Sequence, residues 1–281
     1  MALFIKDITS RLENILSIVG ISLFFILWQL LSDLLGPVRL PSPVTVFYTV
    51  FENLLQGSPE AVARTYFAGK GEVSLEVGLF PHMLQTTIKC LSGSATGMAL
   101  GIGFGLLMGW SRSVRLVFEP VIELIRAAPP LALVPFFLMW FGRGFQSAFI
   151  MMMFYGFIFL VVNTVEAIRN VPRIYEQAGQ TLGATKGQIY RTIIVHAIVP
   201  QLIGGIRVAL AVAWGIIIVA EMLGIPVGLG RIFLLTYPFM FTKMVIAVIV
   251  CTAFLALVSD QVFLRIALYK TTWVPREKIT K

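Results

Sequence analysis

Six predominantly apolar stretches of 20 residues or more, at 15–35, 83–110, 116–141, 145–165, 197–223 and 239–264, dominate the chain. Each meets the length of about 20 residues that a helix needs to cross a bilayer. Inside hydrocarbon every backbone polar group must be satisfied internally, which leaves helices or a closed barrel. Barrel strands would alternate apolar and polar side chains, and these runs are continuous, so the expected fold is all-α with six transmembrane helices. Composition agrees: 58% of residues are hydrophobic and 13% charged, where a soluble domain carries roughly a quarter charged.

The net charge of +8 is read as membrane topology and not as nucleic-acid binding. Basic residues gather in residues 1–14 (Lys6, Arg11), in the turn after the second span (Arg112, Arg115) and in the 166–196 loop (Arg169, Arg173, Lys186, Arg191). They gather again in the tail at 265–281, with Arg265, Lys270, Arg276, Lys278 and Lys281. The opposite connections carry fewer, diluted among acids. Both termini and the polar loop are therefore expected to be cytoplasmic. The first apolar run lacks a small-residue cleavage site and reads as a retained span. Cys90 and Cys251 lie in predicted spans without metal-ligand neighbours, and His82 and His196 are isolated in sequence, so no metal site is expected.

Residues 36–82 form an external segment in which Leu40-Pro41-Ser42-Pro43 ends one helix and starts an amphipathic one at 44–55. Residues 57–81 read as an external loop. Gly93, Gly97, Gly101, Gly105 and Gly109 recur every fourth residue in the second span and fall on one helix face, where another backbone can approach closely. Pro129, Pro130 and Pro135 are expected to interrupt the third span, and residues 224–238 to form an external re-entrant segment.

The polar stretch at 166–196 cannot sit in lipid. Tyr175 to Leu182 is a helix candidate, with Ala178 and Gly179 small enough for a partner to come close. Gly183 ends that helix, and Lys186 to His196 leads back to the membrane as a second one. No phosphate-binding loop occurs: Gly69-Lys70 is followed by Gly71, not Ser or Thr.

Gln177-Ala178-Gly179, Gly183, Ile193 and Pro200 resemble the EAA coupling loop of binding-protein-dependent ABC importer permeases. Leu40 to Pro43, Arg126 to Pro135, Trp140-Phe141-Gly142, Gly205-Ile206-Arg207 and Ala220 to Gly224 resemble the taurine, sulfonate, nitrate and bicarbonate branch of that family. The likeness runs in order through residues 40–56 and 82–265. The usual Glu of the loop is Gln177 here, with Glu176 one place earlier; Gly179 replaces an Ala and His196 a Pro.

The resemblance implies a type I importer permease of the inner membrane, not itself an enzyme, for a small anionic solute. It implies two ABC ATPase subunits that bind ATP and magnesium (this chain carries no cofactor), a second permease copy, read as identical, and an external substrate-binding protein. It assigns Tyr175, Glu176, Gln177, Ala178, Gly179, Leu182, Gly183 and Ala184 to contact with the ATPase. Arg126, Asn163, Trp214 and Glu221 are the candidates for the substrate pathway, each weighed against a scaffold role; Glu221 is favoured as an anchor for the Gly-Pro segment. The alternatives are a permease for a neutral heterocycle such as a pyrimidine vitamin precursor, and a secondary transporter or channel.

Overall fold

The computed structural model describes the backbone of residues 2–55 and 78–271, with side chains for 15–54 and 78–271; most of the loop expected at 57–81 and most of the tail lie outside the described residues, and the last residues of that expected loop, from Leu79 on, belong to a helix. The elements run α1 (Ala2–Leu35), α2 (Pro43–Leu55), α3 (Leu79–Trp110), α4 (Arg112–Ala127), α5 (Pro130–Phe141), α6 (Phe145–Arg169) and α7 (Arg173–Thr181). There follow α8 (Lys186–Gln188), a π-helical segment (Ile189–Ile194), α9 (Val195–Ala197), α10 (Val199–Leu223), α11 (Leu229–Thr236), a 3₁₀ turn (Tyr237–Phe239) and α12 (Thr242–Lys270). Among the described residues there is no strand. Five helices are long and apolar enough to cross a membrane, and the bent pair α4–α5 makes a sixth if counted as one span.

The bend in that pair measures 96°, so the expected third span is two helices and not one interrupted rod. The two residues at the junction force it. Ala128 precedes a proline and takes extended backbone (φ −73°, ψ 128°), as does Pro129 (φ −60°, ψ 126°); a pre-proline residue is sterically barred from the helical region. Pro130 then starts α5, where its missing N–H costs nothing. Pro135, expected to interrupt the span as well, stays inside α5, and Pro120 inside α4.

The chain divides into two compact units, Met1–Phe80 with Ile232–Val250 and Pro81–Arg231 with Cys251–Lys281. In the first, the turn after α1 is pinned by its own side chains. Trp28 donates its indole N–H to the Pro41 carbonyl (3.1 Å) and Ser32 donates to Leu40 (2.8 Å). Ser42 caps α2, accepting from the Thr45 amide (3.3 Å).

In the second unit the glycine face of α3 lies against α6. A Cβ added at Gly93 would stand 2.6 Å from the Phe149 carbonyl oxygen, and one at Gly101 2.5 Å from that of Phe157. Gly97 meets the Met153 carbonyl, Gly105 the Thr164 side chain and Gly109 Ile168. Numbering rises together along both helices, so α3 and α6 run parallel. Gly156 answers from α6, its position hard against the Ser94 carbonyl. Without a hydrophobic driving force inside lipid, close backbone contact of this kind supplies the association energy. Helix α10 packs on the same body: Ala209 and Leu210 join Met98 and Leu160, and Gly205 leaves room for the Asn163 amide. Arg207 grips Asp260 bidentately (2.7 and 2.9 Å) and Trp214 donates to Ser259 (2.9 Å), tying α10 to the end of α12.

Candidate functional site

Three arrangements in the second unit are candidates for a functional role. The first is the polar loop. Helix α7 ends in a complete Schellman turn: the Gly183 N–H donates to Gln180 (2.9 Å) and the Ala184 N–H to Gly179 (3.0 Å), with Gly183 at φ +79°. Thr185 then caps α8 in a reciprocal capping box with Gln188.

Gly179 does not face a partner, as its size first suggested. It is buried against the π-helical segment of its own loop, where a Cβ would stand 2.9 Å from Ile189 and 3.0 Å from Ile193. The outward surface is made by large apolar side chains: Ile174, Tyr175 and Leu182 are 64%, 50% and 86% exposed. Glu176, Gln177 and Ala178 are exposed beside them. The π-helical segment carries the link to the membrane body. Tyr190 donates to the Leu106 carbonyl of α3 (2.6 Å) and packs edge-on against Trp110 (5.1 Å). Removing that hydroxyl, as Tyr190→Phe, is expected to cost about 1 kcal/mol of stability, measured as a small fall in the melting temperature of the detergent-solubilised chain.

The second arrangement is a cavity of about 390 Å³ between α4, α5, α6 and α10. Phe137, Phe154, Tyr155 and Phe159 form much of its wall, with Arg126, Asn163 and Glu166 as its polar members. The Arg126 guanidinium donates to Glu123 (2.6 Å) and lies 3.8 Å from Glu166. Its neighbour pair, Arg169 with Glu119, joins the C-terminal end of α6 to α4. The Asn163 carbonyl oxygen is buried with no hydrogen-bond partner. Trp214 is not on the cavity wall: at 2% exposure it is packed in the core with Met152, Ala213 and Ile217.

The third centres on Glu221, expected from the sequence as an anchor for the Gly-Pro segment, with partners that the sequence did not reveal. Glu221 is fully buried and pairs with Lys89 of α3 (2.9 Å). Thr86 donates to the same carboxylate (2.9 Å). The Gly230 N–H donates to Glu221 (2.9 Å), the Leu229 N–H to Thr86 (2.9 Å) and the Gly228 N–H to the His82 ring (3.0 Å). Lys89 also donates to the Val227 carbonyl. Four consecutive residues, the last two of the irregular segment and the first two of α11, thus find side-chain partners, and a carboxylate meets the positive end of α11. The Glu221 carboxylate fills the place a Cβ would take at Gly228 (φ +143°). His82, isolated in sequence, is joined in space to Gly228. A lysine inside an apolar span is costly unless paired, and that was the one signal that could have pointed to Lys89.

Closely packed apolar helices, a cavity between them and a structured loop tied to the C-terminal end of α3 fit a membrane transport subunit. Residues 97–267 match the family of binding-protein-dependent transport system inner membrane components, and the chain belongs to it. It is 27% identical over 248 residues to the taurine transport system permease protein TauC of Escherichia coli, covering 87% of this chain and 84% of that one. It is 30% identical over 230 residues to the bicarbonate transport system permease protein CmpB of Synechococcus elongatus, covering 80% and 78%. A chain from an inward-facing structure of the MetNI methionine ABC transporter superposes with a TM-score of 0.57 at 19% identity, covering 67% of this chain and 94% of that one, a likeness of fold. The chain is accordingly a multi-pass permease component of an ABC importer, working with ATPase subunits and a substrate-binding protein, and the secondary-transporter and channel readings fall away.

Proposed function

We propose that this chain is the non-catalytic permease subunit of an importer for a small anionic solute of the sulfonate, taurine, nitrate or bicarbonate kind. It works as a pair of identical copies, with both termini and the 166–196 loop in the cytoplasm. Two ATPase subunits seat on Ile174, Tyr175, Leu182 and the polar residues beside them. The observation that carries this reading is the brace between α7 and the membrane body. A push on α7 passes through Gly179 to Ile189 and Ile193, and through Tyr190 to Leu106 of α3, whose glycine face moves α6 with it. A short helix rigidly mounted on packed spans is what a rigid-body switch between inward-open and outward-open states requires. Affinity purification in mild detergent, with mass identification of the co-purifying chains, tests it: two ATPase copies and an external binding protein are expected. A chain that purifies alone under conditions preserving other transporter complexes would overturn it.

The relatives' substrates favour an anion. One observation favours the second reading, a neutral heterocycle: Arg126 already has carboxylate partners, and the cavity wall is largely aromatic. Arg126→Gln separates the two. Uptake of an anion through an Arg126 contact should fall about tenfold or more, the loss of one charge-assisted bond of about 1.5–3 kcal/mol, while uptake of a neutral solute changes little. Complex yield from the membrane serves as the control for a scaffold role.

A further inference from the structure

The ion pair of Lys89 and Glu221 is an expensive thing to place inside a membrane body. Nothing in the cavity uses it. What it touches is backbone: with His82 and Thr86 it engages residues 227, 228, 229 and 230 in sequence. The segment it holds also carries Ile225, which is 2% exposed and packed in one cluster with Val134, Met151, Ile216 and Ile217. Met151 and Ile216 of that cluster are also walls of the cavity. Arg126 and Glu166 mark the other end of the same cavity.

We propose that His82, Thr86, Lys89 and Glu221 are positioning residues for transport, a polar latch that holds residues 224–230 in place so that Ile225 plugs the outer end of the cavity. This rests on the orientation proposed above, in which that segment is external. The chemistry explains why the latch is polar. A segment with glycines at φ +150° (Gly224) and +143° (Gly228) has no regular backbone bonding of its own. Its N–H groups need acceptors wherever it is buried. Acceptors fixed on α3 and α10 make the plug part of the α3–α6–α10 body, so that it moves only when that body moves. An apolar contact alone would let the segment slide.

The test uses single-cysteine reporters in the full chain in intact cells, treated with a charged maleimide that cannot cross the membrane. The unsubstituted chain, whose two cysteines are buried, is the blank. Val227→Cys, at a position 41% exposed, should label from outside, and Ile225→Cys should not. Adding Glu221→Ala or Thr86→Val should make Ile225→Cys label about tenfold faster or more. Thr86→Ser, which keeps the hydroxyl, should stay protected. Should Glu221→Ala fail to insert, the Thr86 pair decides by itself, since it removes one hydroxyl and no charge. Unchanged labelling of Ile225→Cys in Thr86→Val, or equal labelling in Thr86→Val and Thr86→Ser, would overturn the latch. Labelling of Val227→Cys only in inverted vesicles would instead overturn the orientation on which it rests.

Discussion

Gly97→Leu is expected to leave little or no folded protein in the membrane, whereas Gly103→Leu, six residues along the same helix, leaves the yield unchanged. A Cβ at Gly97 would overlap the Met153 backbone, carbonyl carbon and oxygen together, while one at Gly103 meets nothing within 4 Å. Backbone cannot rotate away as a side-chain tip can. The two parallel helices would have to separate along their length, loosening the contacts at Gly93, Gly101 and Gly156 as well. Overpacking typically costs 1–3 kcal/mol even where side chains can adjust, and here several contacts are lost together. Against a total stability of about 5–15 kcal/mol, that is enough to send the chain to degradation. Quantitative blotting of membrane fractions, with thermal stability in detergent, checks it; equal yields of the two variants would show that the α3–α6 contact is not what holds this body together.

Gly179→Leu is expected to produce a chain that inserts and folds but no longer engages its ATPase. The added side chain would press on Ile189 and Ile193, whose nearest atoms stand 2.9 and 3.0 Å from a Cβ at that place. These are flexible side chains outside the membrane body, so the fold survives and α7 is displaced from its brace. Co-purification of the ATPase should fall by about tenfold or more, corresponding to about 1.4 kcal/mol or more of lost contact. Gly183→Ala is the contrasting variant. Its Cβ meets nothing within 4 Å, and the left-handed backbone costs only about 1–2 kcal/mol, so it should weaken α7 without displacing it. A Gly179→Leu chain that retains its ATPase in full would remove α7 from the coupling role.

These two variants also separate what could be read from the chain from what could not. The four-residue spacing of the glycines announced a close helix contact; it could not say that the partner was α6, or that the helices run parallel. The paired prolines at Pro129 and Pro130 announced a break, but not its angle, nor that Pro135 would be absorbed into a helix. Gly179 was legible as a small residue at a contact, but its contact proved to be with its own loop. Trp214 was legible as a pathway candidate or a packing residue, because an aromatic in a span can serve either role; its packed neighbours and its bond to Ser259 are visible only in the structure.

The sequence by itself determined the membrane class, the number and approximate limits of the apolar segments, the position of the polar loop and the turn that ends its first helix. Those are local properties: hydropathy sums along a window, and a glycine in the left-handed region is needed by its own turn. The tertiary structure alone decided which buried groups meet. Lys89 and Glu221 are 132 residues apart, and Tyr190 lies 84 residues from the carbonyl it binds. No periodicity encodes such a pairing, because a polar side chain in a span signals only that it needs a partner. Which partner it finds depends on how helices distant in sequence are laid side by side, and that is fixed by the shapes of their faces.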